Sequence, residues 1–399
     1  MKPIIGITAG DSNGIGYEII LKSLSEPHVR DICTPVVYGN AKIAAQHAKT
    51  LNDELRYFTF RLIDDVKDAK EGVANLITCY PDDTPVQIGV ASPEAGKAAF
   101  LALDKACKDL KDGKLAALVT APINKDTIQS QAFPFTGHTE YLTSLFAEKD
   151  EDGAPKQDAL MMMTSSVMRV ALLCNHTPIA KVATMISEDR IVRKLTALHR
   201  ALQQDFTIRK PRIAVLALNP HAGDNGLIGK EEQDIIAPAI KRANEQGLYV
   251  FGPYSADGFF GAGQFMHFDA ILAMYHDQGL IPFKSLDMSG VNFTAGLPIV
   301  RTSPDHGTGY DIAGKNMADA TSMRNAIYTA LDVLKARALD KEINADPLPI
   351  PEHPKEDKRP HVPFFVPADK MVEKVETVEV VETVETVEVV DQHAVTNTQ

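Results

Sequence analysis

The chain has 399 residues, 44% of them hydrophobic and 24% charged, with a formal net charge of −12 and four cysteines. That composition suits a folded protein large enough for two domains, and the absence of lysine- or arginine-rich runs argues against nucleic acid as a ligand. Cys33, Cys79, Cys107 and Cys174 are scattered without metal or disulfide spacing, so they read as small core residues.

Pro3 to Thr8 reads as a buried strand running into the turn AGDSNGIG and a helix from Tyr17 to Leu24. Such a turn either cradles an anion on free N–H groups or is a plain tight turn. It is not the dinucleotide fingerprint GxGxxG, because only Gly14 and Gly16 have that spacing. A strand at Pro35 to Tyr38, a helix from Asn40 and apolar segments at Tyr57 to Ile63 and Val73 to Cys79 follow. The stripe Ala95, Ala98, Ala99, Ala102, Leu103, Ala106, Leu110 predicts a helix over Ser92 to Leu110, stopped by Gly113. Ala116 to Thr120 is the next strand. Strands alternating with helices predict an α/β fold built on a mainly parallel sheet.

Thr120 opens TAPINK at a strand end, where α/β proteins place ligand sites. FTGHTEYL brings His138, Thr139 and Glu140 together, and residues 148–157 read as a charged surface loop. Ala159 to Met163 and Val167 to Leu173 are strand-like, the methionines serving as core filling. The second run delivers His176. The strand Ile213 to Leu218 delivers His221, before a helix running through Ala243, and Ala270 to Met274 delivers His276. Three imidazoles just beyond three strands of one sheet converge on one edge, a facial set suited to a divalent metal with open positions. Each histidine alone is also an ordinary turn residue, and spacings of 45 and 55 residues match no short metal signature.

From Ala273 to Gly314 the chain sets His276, Asp277, Lys284, Asn292, Arg301, Asp305 and His306 among glycines and prolines, with short apolar runs such as Leu297 to Val300. Polar groups of that variety at turns and strand ends are what a small-molecule site is made from. After a helix from Ala318 to Leu339 come a proline-rich linker at 346–370 and a Val/Glu-repeat tail at 371–399. The tail carries seven acids against Lys374, half of the net charge. Its repeat near three drifts around a helix, so disorder is expected rather than a coiled coil. The N-terminus lacks a signal peptide's apolar core and no apolar run could span a bilayer, so the cytoplasm is the expected location.

TAPINK, GHTEYL, VALLCNHTPI, LNPHAGDNG, LAMYHDQGL, VNFTAGLPIVRTSPDHGTGYDIAG and the opening ITAGDSNGIGYEI stand in the order seen in the 4-hydroxythreonine-4-phosphate dehydrogenase family of vitamin B6 biosynthesis, which the chain resembles over roughly residues 1–340. The resemblance implies an NAD-dependent oxidoreductase with two α/β/α domains around a cleft, like isocitrate and isopropylmalate dehydrogenases. The domains would be residues 1–130 with 305–345, and residues 131–304. It also implies a homodimer with sites near the interface, His176, His221 and His276 as metal ligands, and His138, Thr139, Lys284, Asn292 and Arg301 as substrate contacts. The metal would be zinc, with cobalt or magnesium as alternatives, magnesium being the least suited to nitrogen ligands. The reaction implied oxidises 4-phosphohydroxy-L-threonine to 2-amino-3-oxo-4-(phosphooxy)butanoate, which decarboxylates to 3-amino-2-oxopropyl phosphate.

A metal on the alcohol oxygen would favour its ionisation, and arginine and lysine would hold the phosphate and carboxylate ends. Lys284, His138 and Asp277 are the candidate general bases, Asp277 being equally suited to capping a helix. The opening turn departs from the family's usual TPGDPAGIGPE at Ala9, Ser12, Asn13 and Tyr17, and the stretch from Lys284 to Asn292 is slightly short. Two other functions therefore stay open: oxidation of D-threonate or D-erythronate 4-phosphate, and non-enzymatic binding of a phosphorylated metabolite.

Overall fold

Ile4–Thr8 (β1) is buried from Ile5 onward and pairs in parallel with Thr34–Gly39 (β2) and Ala117–Thr120 (β5), all three being short apolar runs that bury both faces. Outward from β2 lie Asn75–Thr78 (β4) and the two-residue edge strand Arg61–Leu62 (β3). On the other side β5 pairs in parallel with Arg301–Pro304 (β12), which pairs antiparallel with Val291–Ala295 (β11). Next come Leu160–Thr164 (β6) and Arg169–Cys174 (β7), each antiparallel to its neighbour. Ala270–Tyr275 (β10), Arg212–Leu216 (β8) and Tyr249–Tyr254 (β9) complete the sheet in parallel with β7. The described strands thus form one mixed twelve-stranded sheet in the order β3-β4-β2-β1-β5-β12-β11-β6-β7-β10-β8-β9. This computed structural model describes residues 2–51, 53–149 and 159–346. Most of the loop expected at 148–157, nearly all of the linker at 346–370 and the tail at 371–399 lie outside the described residues.

Helices cover both faces. Gly16–Ser25 (α1) and Ala41–Ala48 (α2) belong to the first half of the sheet, and the Asn40 side chain accepts from the N–H groups of Lys42 and Ile43 to cap α2. Pro93–Lys111 (α3) starts on a Ser92 cap and turns its alanine-rich stripe onto β1, β2 and β5. His138–Phe146 (α4) and Glu188–Gln204 (α5) follow. Ala237–Glu245 (α6) is preceded by a π-helical turn at Glu232–Ile236, so the helix expected through Ala243 is irregular at its start. His276–Leu286 (α7) and Thr321–Ile343 (α8) close the set, and α8 packs on β12, β5 and β11. Among the described residues no helix is long and apolar enough to cross a membrane.

The core forms where these layers meet. Each fully buried Leu, Ile or Val contributes roughly 1.5–3 kcal/mol. The methionine triplet follows the period of two of a strand, with Met162 in the cluster that runs through the first half and Met161 and Met163 in a second cluster on the opposite face. Three of the four cysteines are buried, all four are free thiols, and burial pushes Cys33, Cys79 and Cys107 up to about 12.

Two sequence expectations differ from the structure. Tyr57 to Ile63 yields only β3, whose two residues are exposed, because that segment lies at the sheet edge with little to cover it. Leu297 to Val300 is the link between β11 and β12, while the helix α7 fills residues that read as turns because of Gly279 and Pro282. Gly279 is there for contact: a Cβ would stand 2.7 Å from a Val170 methyl and 3.0 Å from Ala273 Cβ.

Candidate active site

A cavity of about 260 Å³ opens over the central strands, lined by the end of β5 and the residues after it, the start of α4, His176 beyond β7, the start of α7, and the β11–β12 pair. Its size falls below the roughly 300–1,000 Å³ of drug-sized pockets, which suits a small metabolite.

The inner end is cationic and closed. Arg301 opens β12 between β5 and β11, so its guanidinium reaches Thr120 Oγ1 at 2.6 and 3.1 Å and Thr294 Oγ1 at 3.1 Å. It is 2% exposed, its hydrogen-bond partners are neutral, and burial lowers its pKa to about 10. A buried cation without a carboxylate partner is costly. In the same cavity, His138 Nε2, Asn292 Oδ1 and His306 Nε2 are out of solvent with no hydrogen-bond partner among the described residues. Such orphans are rare and call for an explanation. Burial, then Arg301 and Lys125, holds His138 well below the usual imidazole range, so its ring is neutral. The first turn of α4 carries no side-chain cap, which leaves its N–H groups available to an anion.

The outer end is more open. Lys284 Nζ lies 3.2 Å from Asp305 Oδ1 and 3.1 Å from the Asp305 carbonyl. Burial raises the Asp305 pKa, partly offset by Lys284. Lys125 Nζ donates to His176 Nε2 at 3.0 Å, and Glu140 lines the same wall. The His176 and His276 rings stand 5.8 Å apart between centroids. Asp277 Oδ1 accepts from His276 Nδ1 at 2.7 Å, which leaves the Nε2 lone pair of His276 for a metal, as outer carboxylates do around metal-bound imidazoles.

His138, Thr139, His176, His276, Lys284, Asn292 and Arg301 all line this cavity. Asp277 does not; it orients His276 from outside. His221 does not either, although β7, β10 and β8 are adjacent parallel strands as expected. It is exposed on a turn where His221 to Asn225 all have positive φ, between 44° and 79°. Buried Glu232 holds that turn, accepting from the N–H groups of Leu218 and Asn219 at 2.8 Å each. Left-handed backbone at four non-glycine residues is strained, and nothing in the residue types announced it. Among the described residues no three His, Cys, Asp or Glu side chains are arranged to hold a metal. The two cavity imidazoles fit a divalent ion by donor type.

The opening turn is packed rather than open. Residues Ile5 to Leu21 are buried without a break. A Cβ on Gly10 would stand 2.3 Å from the Pro122 carbonyl, and Ile15 N–H donates to Thr308 O at 2.9 Å. Its glycines serve close packing, the tight-turn reading. Reading by residue type missed Lys125 inside TAPINK and the anchoring role of Thr120. A larger hollow of about 990 Å³ along α5 lies away from this site. Two of its arginines are tied to acids, Arg337 to Asp205 and Arg242 to Glu188 and Asp189.

Residues 31–330 match the family model described as pyridoxal phosphate biosynthetic protein PdxA. A 4-hydroxythreonine-4-phosphate dehydrogenase from Bacteroides thetaiotaomicron is 49% identical over 345 residues, 86% of this chain and 92% of its own. The crystal structure of 4-hydroxythreonine-4-phosphate dehydrogenase from Klebsiella pneumoniae is 34% identical with a TM-score of 0.69, covering 84% of this chain and 98% of that one. A relative from Oceanobacillus iheyensis with the provisional name D-threonate 4-phosphate dehydrogenase is 38% identical, over 83% of this chain and 98% of its own.

Proposed function

Because the chain belongs to the PdxA family of pyridoxal phosphate biosynthetic proteins and is an oxidoreductase, we propose that it oxidises 4-phosphohydroxy-L-threonine with NAD⁺ in the cytoplasm. The product is 2-amino-3-oxo-4-(phosphooxy)butanoate, which loses carbon dioxide to give 3-amino-2-oxopropyl phosphate. The observation that carries this reading is the buried guanidinium of Arg301, bonded to neutral hydroxyls in a cavity that also holds His138, Asn292 and His306 atoms without a partner among the described residues. An anionic group entering from the cavity would pair with the guanidinium and accept from an imidazole N–H, while the acceptor Asn292 Oδ1 would take a donor such as a substrate hydroxyl or ammonium. A non-enzymatic binder is set aside, since the relatives are dehydrogenases.

When bound, NAD⁺ supplies the hydride acceptor and a divalent ion polarises the alcohol oxygen. His176 and His276 would hold that ion, with Asp277 fixing the His276 ring. In a homodimer with sites near its interface, the exposed His221 of a second copy is the natural third ligand. A mixture of His221→Ala and His176→Ala proteins should then regain activity that neither has alone, and no recovery after subunit exchange would oppose this. Arg301 and the first turn of α4 bind one anionic end of the substrate, and neutral His138 hydrogen-bonds it. Of the three candidate bases, Lys284 fits best: Asp277 is outside the cavity, and His138 is kept a poor base by its surroundings. Lys284 is half-exposed and paired with Asp305; it would accept the hydroxyl proton as the neutral amine, after its own proton has passed to solvent.

Glu140 favours the amino acid over a sugar acid. It lines the cavity close enough for its charge to act on Lys125, His176 and Arg301, and no hydrogen bond from a described residue holds its carboxylate, so the substrate's ammonium group would supply one. The test is NADH formation by metal-supplied protein offered 4-phosphohydroxy-L-threonine beside D-threonate and D-erythronate 4-phosphates. Preference for the amino acid supports the proposal, preference for the sugar acids redirects it, and no turnover with any overturns it.

A further inference from the structure

We propose that Lys125 is a further catalytic residue, whose ammonium donates to the reacting oxygen of the substrate and balances the negative charge that the oxygen takes on as its proton goes to the base, ahead of hydride loss. This rests on the dehydrogenase reading above.

The ammonium has three N–H bonds and no acceptor role. One goes to His176 Nε2 at 3.0 Å, and no described residue takes the other two. The residue is held in place from behind. It follows Asn124, whose side chain accepts from the N–H groups of Asp126 and Thr127 at 2.9 and 3.2 Å. The same segment is pressed against Gly96 of α3, where a Cβ would stand 2.0 Å from the Thr127 carbonyl. The position of Lys125 is therefore set by α3 and an Asx turn rather than by surface drift.

Lys125 lies beside His176, whose ring faces that of His276, while the guanidinium of Arg301 is bonded to Thr120 and Thr294. The alcohol to be oxidised belongs beside the two imidazoles. One lone pair on His176 Nε2 cannot serve an ammonium and a metal ion together. With the His176 Nε2 lone pair taken up by an ion, the N–H bonds of Lys125 would be left for an oxygen of the substrate. In the oxidation the C–H bond breaks with its electron pair going to NAD⁺, which becomes NADH. The hydroxyl proton goes to the base, and C=O remains. Lys125 itself gains and loses no proton; it contributes charge and a hydrogen bond, a preorganised donor aimed at developing negative charge.

The test compares wild type, Lys125→Met and Lys125→Arg by steady-state kinetics, divalent-metal titration and melting temperature. For Lys125→Met we expect kcat to fall at least 100-fold with KM within about threefold, and metal affinity equal to or above wild type because a competing cation is gone. Lys125→Arg should recover part of kcat. A kcat within threefold of wild type overturns the role, as does a loss of kcat matched by loss of bound metal. If the wild type itself turns over no phosphorylated hydroxy acid, the dehydrogenase reading fails first and this role falls with it.

Discussion

Replacing Arg301 by methionine separates binding from stability more sharply than any other change at the site. Lowering an arginine from 12.5 to about 10 corresponds to roughly 3–4 kcal/mol against the charged form in the ligand-free protein, at about 1.4 kcal/mol per unit. Three hydrogen bonds to threonine hydroxyls return on the order of 1 kcal/mol each. The two contributions nearly cancel. Arg301→Met should therefore change ligand-free stability by no more than about 2 kcal/mol, a few degrees in melting temperature for a domain of this size. Substrate binding loses one partner of a buried charge pair, about 2–5 kcal/mol, or roughly 30- to several-thousand-fold in kcat/KM. The assay is thermal unfolding with and without substrate, together with NADH formation. Wild type should be stabilised by substrate and the variant should not. A ligand-free loss well above 3 kcal/mol would show that the guanidinium is already satisfied without an anion, and the reasoning would fail.

Two further outcomes follow from packing and protonation. His47 is fully buried, donates from Nε2 to the Ser12 carbonyl at 2.8 Å and has an unpartnered Nδ1. Burial lowers its pKa, so its contribution is present above the unfolded value near 6.5 and is lost as pH falls toward the folded value, by up to about 1.4 kcal/mol per pH unit. His47→Asn should flatten the urea midpoint between pH 7 and 5, and an unchanged slope would count against it. Gly96→Ala drives a Cβ into the Thr127 backbone; about 1–3 kcal/mol of stability and at least tenfold in kcat/KM should go together as Lys125 shifts. Gly113→Ala meets no atom within 4 Å but has φ +71°, so it should cost about 1 kcal/mol and leave kcat/KM alone. Equal activity in the two variants would refute the claimed coupling.

The regular part of this fold was legible because its signals are local. The α3 stripe gives Pro93–Lys111 against an expected Ser92 to Leu110, and β10 gives Ala270–Tyr275 against Ala270 to Met274. The cavity residues named from strand ends and from family resemblance also assemble, apart from Asp277 and His221. What was not legible depends on partners far along the chain. The left-handed turn carrying His221 is imposed by Glu232, and α7 is hidden by Gly279, whose reason is a contact with Val170. Lys125 looked like any loop lysine, because only the folded chain brings it to His176.

The strand order has a consequence for synthesis. The first half of the sheet is laid down by residue 120, yet its next strand is β12 and its covering helix is α8. Between Thr120 and Ile343 the ribosome must add 223 residues, which at about 5–20 residues per second takes roughly 10–45 s. Until β12 is made at Pro304 the edge of β5, an apolar run, has no native neighbour on that side, and an unpaired edge of this kind templates aggregation. Chains released before β12 should precipitate or be held by chaperones while full-length chains do not, so nonsense and slow-codon changes within residues 121–300 should lower the yield of folded protein more than those beyond 343.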